Sequence, residues 1–187
     1  MNRKILVAGI GNIFAGDDAF GVEVVRQLAL LPLPETVLVR DFGIRGYDLA
    51  YAITDGYPAI ILVDATPRGE APGTVYLIEP DVEAIGSEAS LDPHGLDPVV
   101  VLQLARALGG RFGKLYLVGC EPDVLESDEI ALSPSVRAAV PQAVRMIESL
   151  VHRLLSESSS ELSPDQATKQ SRQGFPEGGD PHVLLPQ

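Results

Sequence analysis

The chain has 187 residues, 45% hydrophobic and 21% charged, a composition that predicts one compact globular domain. Its net charge of −12 argues against nucleic-acid binding driven by phosphate neutralisation. The single cysteine, Cys120, excludes an internal disulfide and any multi-cysteine metal site. The first apolar run, Ile5 to Ala8, is too short for a signal peptide, and no run approaches the roughly 20 residues of a membrane span. We therefore expect a cytoplasmic protein with no membrane partner.

Strand-like and helix-like segments alternate along the chain. Short apolar or β-branched runs predict strands at Ile5–Ala8, Thr36–Arg40, Ala59–Val63, Thr74–Ile78 and Leu115–Val118. Apolar residues at helical spacing predict helices over Val22–Ala29, over Tyr47–Ile53, after Asp97-Pro98 and after Ser133-Pro134. Pro141 lies within the last of these, where it predicts a kink or a break.

This alternation predicts a three-layer α/β/α sandwich with an open, mostly parallel twisted sheet of about five strands. From Ser156 onward the sequence is polar, rich in Ser, Pro and Gly, and aperiodic. We therefore expect an α/β domain over residues 1–155 and a disordered tail over 156–187. In sheets of this kind ligands bind beyond the carboxyl ends of the strands, so residues that follow strands are the first candidates for function.

Acidic and imidazole side chains occupy such positions. Asp17 and Asp18 follow the first predicted strand, Asp64 follows the third, and His94 lies in the loop LDPHGLDP. If the first and third strands are neighbours, Asp18 and Asp64 lie at one edge of the sheet, within reach of the loop that carries His94. Two carboxylates and one imidazole suit a divalent metal such as nickel, zinc or iron. The same residue types also occur as helix N-caps, loop charges and turn residues, so spacing alone leaves both interpretations open.

A nucleotide-binding module is an alternative interpretation of the first loop. Gly9 and Gly11 resemble the start of a dinucleotide fingerprint, and Asp41 ends the second predicted strand as a ribose-binding acid would. The third glycine position holds Phe14, however, and the acids at 17–18 would repel a pyrophosphate. Cys120 has no histidine near it in sequence and is expected to be a small core residue rather than a nucleophile.

Several segments together resemble the maturation endopeptidases of [NiFe]-hydrogenases. The resemblance covers about residues 1–155 and rests on segments in the family's order: GIGNIFAGDDAFGVEVV at 9–25, DFGIRGYDLAY at 41–51, ILVDATPRG at 61–69, HGLDP at 94–98, GCEPD at 119–123 and ALSPSV at 131–136. It implies a five-stranded α/β/α sandwich and a metal-sensing cleft whose ligands are Asp18, Asp64 and His94.

Two positions depart from the family's pattern. The first-loop ligand is more commonly Glu, one methylene longer than Asp18. The usual Asp-Gly-Gly-Thr segment is replaced by Asp41-Phe42-Gly43-Ile44. The backbone at Gly43 and Gly46, beside Asp41, is the candidate binding site for an extended peptide.

The resemblance implies an aspartic-type or metal-dependent endopeptidase that removes the C-terminal extension of a [NiFe]-hydrogenase large-subunit precursor. Nickel would be presented by the precursor, and Asp18 or Asp64 would be the catalytic base for water. We expect a monomer. A non-catalytic accessory protein that carries nickel is the second alternative. Because adjacent side chains diverge, we do not expect both Asp17 and Asp18 to reach one metal. The resemblance of GNIFAGDDAFG to the family places Asp18 at the ligand position, so we expect Asp17 to bind loop amides or the positive end of the following helix.

Overall fold

The computed structural model describes residues 5–80, 98–111, 113–125 and 130–160. The strands within them are β1 (Ile5–Ile10), β2 (Val37–Gly43), β3 (Ala59–Ala65), β4 (Val75–Ile78) and β5 (Lys114–Cys120). The helices are α1 (Phe20–Leu28), α2 (Gly46–Ile53), α3 (Pro98–Ala107) and α4 (Pro134–Ser160), and a short 3-10 helix, Gly16–Ala19, precedes α1. The strands form one sheet in the order β2-β1-β3-β5-β4, in which only the β4–β5 pair is antiparallel.

A separate apolar core lies on each face of this sheet. Alternate residues of β1 point to opposite faces: Val7 packs in the core with α1 and α4, whereas Leu6 and Ala8 pack in the core with α2 and α3. The central strands β1 and β3 are buried along their whole length, as expected for parallel strands covered on both sides. The predicted three-layer sandwich is therefore confirmed. The first and third strands are neighbours, which is the condition under which Asp18 and Asp64 were predicted to lie at one edge of the sheet.

Glycines allow α1 to begin in direct contact with the two central strands. A Cβ atom at Gly21, the second residue of α1, would overlap the carbonyl oxygens of Val63 and Ile10. A Cβ at Gly9 would lie 2.5 Å from the Gly21 carbonyl oxygen. The start of α1, with the turn just before it, is thereby held against the carboxyl ends of β1 and β3.

Two strands extend further than their sequence predicts. Asp41 and Asp64 were expected to close or follow their strands, but both lie inside them. In the ladders, Gly9 pairs with Asp41 and Asp64 pairs with Gly119. Backbone pairing with a neighbouring strand extends a strand regardless of the polarity of its side chains, so hydropathy placed these boundaries too early.

The predicted break at Pro141 is wrong, because α4 includes this residue and continues to Ser160. Proline removes one helical hydrogen bond, which leaves the carbonyl of residue 137 without its i+4 donor. Arg137 and Pro141 both lie on the exposed side of the helix, where water can solvate that carbonyl.

The predicted domain boundary at residue 155 falls within α4, which is helical to Ser160. Leu154 is buried, and Lys114 Nζ lies 2.7 Å from Glu157 Oε2, so this end of the helix is attached to the start of β5. The rest of the predicted tail, 161–187, lies outside the described residues. No helix within the described residues is long and apolar enough to cross a membrane.

The contact at Gly21 generates a stability prediction. In an ordinary helix interior, Gly→Ala stabilises by roughly 0.5–1 kcal/mol. In Gly21→Ala the new methyl group meets backbone carbonyls that cannot rotate away, so we expect a loss of about 1–3 kcal/mol in the free energy of unfolding. Urea unfolding measures it, and Gln27→Ala on the exposed face of α1 is the control, with a change within about 0.5 kcal/mol. A Gly21→Ala protein as stable as the wild type would contradict the close contact.

Candidate active site

Asp18 lies in the 3-10 helix that precedes α1. Its Oδ2 accepts a 2.6 Å hydrogen bond from the backbone N–H of Asn12. Partial burial raises the pKa of the Asp18 carboxyl, an effect that the bond from Asn12 partly offsets. The Asp18 carbonyl packs against Gly11, whose φ of +126° favours glycine and where a Cβ atom would overlap that carbonyl.

This packing also gives a structural reason for the glycine loop. A side chain at either glycine would collide with another part of the chain. At Gly9 it would meet α1, and at Gly11 it would meet the Asp18 carbonyl. In a dinucleotide fingerprint the corresponding space admits a pyrophosphate. The nucleotide-binding interpretation therefore loses its main support.

Asp64 is the penultimate residue of β3 and is 7% exposed. The start of α1 contacts the Val63 carbonyl, so the turn that carries Asp18 lies beside the end of β3. As expected, Asp18 and Asp64 occupy the same edge of the sheet. His94 lies outside the described residues, and within those residues no three His, Cys, Asp or Glu side chains are grouped as a metal site. The three-residue ligand set stays a prediction.

Asp17 is almost fully buried, with 1% of its surface exposed, and it contacts both ends of the connection between β5 and α4. Its Oδ2 accepts hydrogen bonds from the backbone N–H groups of Asp123 (2.8 Å) and Val124 (3.1 Å). Ser133 donates to the same carboxylate twice, through its N–H to Oδ1 (2.7 Å) and its hydroxyl to Oδ2 (2.9 Å). The expectation that Asp17 binds loop amides is confirmed.

Glu121, immediately after β5, is also a buried carboxylate, and sequence reasoning did not single it out. Its Oε2 accepts from the N–H of Arg68 (2.7 Å) and its Oε1 from that of Gly69 (3.1 Å). Burial acts to raise the pKa of Glu121, but bonds from the backbone of residues 68–70 and from Tyr76 outweigh it, and the pKa is lowered. The single proton of the Tyr76 hydroxyl is shared between Glu121 Oε2, 3.4 Å away, and the nearer Thr66 carbonyl. Glu121 thus holds the loop that follows Asp64; an acid directly after a buried strand was the available signal.

The candidate peptide-binding residues lie at the same edge of the sheet, on its β2 side. Asp41 is half-exposed, with its Oδ2 3.6 Å from Nη2 of Arg26 on α1. Gly43 has a φ of +53°, and its carbonyl accepts a 3.1 Å hydrogen bond from the N–H of Gly11. Gly46 is the first residue of α2. The structure thus joins the loop before α2 to the loop that carries Asp18.

Cys120 is fully buried at the end of β5. Burial and, to a lesser extent, the nearby carboxylates of Asp17 and Glu121 raise the pKa of its thiol to about 12. The nucleophilic thiolate is therefore disfavoured. This environment confirms the expected role of Cys120 as a small core residue.

The fold and the placement of these carboxylates define a class: a three-layer α/β protein whose polar residues gather beyond the carboxyl ends of parallel strands. Within that class, residues 22–150 match the family model described as hydrogenase maturation protease. The match spans more than half of the chain. The chain therefore belongs to the hydrogenase maturation protease family, a family of peptide-bond hydrolases, and the resemblance noted in its sequence is confirmed.

Individual relatives agree with this assignment. The chain is 33% identical over 166 residues to the hydrogenase 2 maturation protease of Escherichia coli, an alignment that covers 88% of this chain and 98% of the relative. The structure is similar to that of the hydrogenase maturating endopeptidase HybD from E. coli, with a TM-score of 0.68 and 30% identity over 80% of this chain and 93% of that one. It is also similar to the [NiFe] hydrogenase maturation protease HycI from Thermococcus kodakarensis, with a TM-score of 0.60 and 28% identity over 81% and 92% of the two chains.

The environment of Glu121 generates a pH-dependence prediction. A carboxyl whose pKa is lower in the folded state stabilises the fold above its unfolded pKa, near 4.3, and loses that contribution as the pH falls through the folded value. We expect Glu121→Gln to lower the Tm at pH 7 by several degrees, and the difference from the wild type to shrink below about pH 4. Thermal melts at a series of pH values measure it.

The matched control is Glu35→Gln, an exposed position in the loop before β2. Its Tm should follow that of the wild type throughout the series. If Glu121→Gln melted with the wild type at pH 7, the hydrogen bonds to residues 68–70 would contribute nothing to stability.

Proposed function

We propose that this chain is an endopeptidase that removes the C-terminal extension of a [NiFe]-hydrogenase large-subunit precursor, and that it recognises nickel already held by that precursor. The observation that carries the proposal is the presence of Asp18 and Asp64 at one edge of the sheet in a chain of the hydrogenase maturation protease family. It is supported by an alignment that runs through 98% of a relative named hydrogenase 2 maturation protease.

The donor chemistry fits a metal that is shared with the substrate. Asp18 and Asp64 offer carboxylate oxygens, and His94 offers an imidazole nitrogen. Such a mixed oxygen and nitrogen set binds divalent nickel without the affinity of a thiolate-rich site, so it can contact the metal without extracting it. Asp18 Oδ2 accepts the bond from Asn12, and Oδ1 is the donor atom that we assign to the metal.

Hydrolysis needs a base for the attacking water, and Asp18 or Asp64 supplies it in this proposal. A base is most effective when its pKa lies near the working pH. Burial moves the pKa of Asp18 upward, toward that range. The active site is thus an acid pair beside a substrate-borne metal, which is the sense in which we call the enzyme aspartic-type and metal-dependent.

The extended peptide is assigned to the segment around Asp41, Gly43 and Gly46. Gly43 adopts a positive φ that favours glycine, so no side chain stands between its backbone and a bound peptide. The hydrogen bond from Gly11 to Gly43 connects this segment to the turn of Asp18, so a peptide lying on it would reach the acid pair. We propose that the protein works in this way in the cytoplasm, as a monomer.

The decisive experiment is the intact mass of a nickel-loaded large-subunit precursor after incubation with this protein. We expect a mass loss equal to one C-terminal peptide, and no loss from a nickel-free precursor. Nickel binding with no trimming of the loaded precursor would instead support a nickel-carrying accessory protein. Stabilisation by NAD or ATP with no response to nickel would support the nucleotide-binding alternative.

Substitutions at the acid pair test the residue assignments. We expect Asp18→Asn, Asp64→Asn and His94→Ala each to lower the processing rate at least about 100-fold, because each removes a proposed metal donor. Asp18→Glu should retain activity, since it keeps the carboxylate and adds reach. Asp55→Asn, an exposed acid in the turn after α2, is the control and should process at the wild-type rate. Normal processing by Asp64→Asn or His94→Ala would refute the metal-site assignment.

The same Asp18→Asn protein carries an independent stability prediction. Because the folded pKa of Asp18 is raised, its stabilising contribution is present at low pH and is lost as the pH rises through the folded value. At pH 7 the charged carboxylate therefore costs stability. Asn keeps an acceptor for the Asn12 N–H without that charge, so the Tm of Asp18→Asn at pH 7 should equal or exceed that of the wild type. A clearly lower Tm would show that the Asp18 charge itself stabilises the fold.

A further inference from the structure

The buried carboxylate of Asp17 joins the turn before α1 to both ends of the connection between β5 and α4. It lies in the 3-10 helix before α1, and its donors come from the loop after β5 (Asp123 and Val124) and from Ser133, directly before α4. Its own N–H donates to the Val124 carbonyl at 3.4 Å, which makes the connection to that loop reciprocal. Asp17 is therefore the point at which the connection between β5 and α4 meets the loop after β1.

The Ser133 side of this arrangement is continuous with a helix. While the Ser133 hydroxyl donates to Asp17, its oxygen lies 3.4 Å from the N–H of Val136, and its carbonyl accepts a 2.8 Å bond from the N–H of Arg137. Ser133 thus caps the start of α4. Through it, the turn of Asp17 is attached to a 27-residue helix that packs along the sheet.

Asp18, one peptide bond away, is held from the opposite side. Its carboxylate accepts from the Asn12 N–H, and its carbonyl packs against Gly11 at the end of β1. The turn therefore lies between the end of β1 on one side and the loops bound by Asp17 on the other. If the bonds to the Asp17 carboxylate were lost, the turn would keep its attachments to β1 and α1 and the 3.4 Å bond from the Asp17 N–H to the Val124 carbonyl. The direction of the Asp18 side chain would then be less constrained.

The donors around Asp17 specify a carboxylate. Four N–H or O–H groups point to its two oxygens, and a carboxylate accepts hydrogen bonds at both. An asparagine in the same place would turn an NH₂ group toward at least one backbone N–H. An apolar side chain would avoid the cost of burying a carboxylate but would leave these four donors unpaired, which is also costly. The carboxylate pairs them, and its hydrogen bonds fix the turn relative to the connection between β5 and α4.

We propose that Asp17 is a positioning residue. Its hydrogen bonds to the connection between β5 and α4 hold the turn before α1, so that the Asp18 carboxylate is presented at the carboxyl edge of the sheet. The inference rests on the proposed function of Asp18. Asp17 itself is buried and contacts neither metal nor peptide in this scheme.

The experiment reads the position of Asp18 directly, by NMR of the full-length ¹⁵N-labelled protein. The Asn12 amide proton donates to Asp18 Oδ2 over a short 2.6 Å bond, so it should resonate far downfield. Asp18→Ala removes the acceptor and defines the shift of the broken bond. We expect Asp17→Asn to move the Asn12 proton at least half of the way toward that value. Its rate of precursor processing, measured well below its Tm, should fall about 10- to 100-fold, the effect of a small misplacement.

Val151→Ala is the matched control for a purely structural effect. Val151 is fully buried in α4, about 25 Å along the helix from Ser133. The Val151→Ala substitution therefore lowers the Tm by loss of core packing alone. The Asn12 shift and the processing rate of the folded protein should both stay at wild-type values. If Asp17→Asn fails to fold, Ser133→Ala takes its place; it removes one donor to Asp17 and should give smaller changes of the same sign.

The two readouts separate this inference from the proposed function. If the wild type trims no precursor while the Asn12 proton still moves in Asp17→Asn, the proposed function fails and the positioning of Asp18 stands. An Asn12 proton that stays at its wild-type shift in Asp17→Asn overturns the inference, whatever the processing rate does. The inference is also overturned if Asp17→Asn moves the Asn12 proton but processes the precursor at the wild-type rate, because the position of Asp18 would then not matter to the reaction.

Discussion

The close contact of α1 with β1 and β3 is the constraint on which the arrangement of this edge depends. At Gly21 the helix backbone touches the carbonyls of Ile10 and Val63, a distance that no side chain would permit. The turn carrying Asp17 and Asp18 precedes this contact directly. It therefore cannot move away from the end of β3, where Asp64 lies, without lifting α1 from the sheet.

Buried carboxylates stabilise this edge of the sheet through hydrogen bonds, whereas α1 does so through close packing. Loops at the ends of parallel strands leave backbone N–H groups that no ladder or helix satisfies, and burying such groups unpaired is costly. Asp17 accepts hydrogen bonds from the connection between β5 and α4, and Glu121 accepts hydrogen bonds from the loop after Asp64. Each of these acids thus stabilises a loop next to a proposed metal ligand. Asp17 and Glu121 hold the edge together, and Asp18 and Asp64 are the acids that we propose for the chemistry.

The periodicity of the sequence was sufficient for most of the fold. Runs such as Ala59–Val63 are apolar on both faces because both faces are covered, and this placed β3 at the centre of a parallel sheet. The same reasoning failed where an element is stabilised by its neighbours. Pairing with Gly119 draws Asp64 into β3, and solvation of an exposed carbonyl lets α4 continue through Pro141. Neither effect is visible in local hydropathy.

The sequence by itself determined the alternation of strands and helices, the family to which the chain belongs, and the edge of the sheet at which Asp18 and Asp64 lie. The sequence assigned Asp17 to loop amides, but only the tertiary structure decided that Asp17 is buried and which donors it binds. Ser133 lies 116 residues from Asp17, and three of the four donors to Asp17 are backbone N–H groups. Every residue except proline carries such a group, so these partners leave no mark in the sequence and are selected only when the loops fold together.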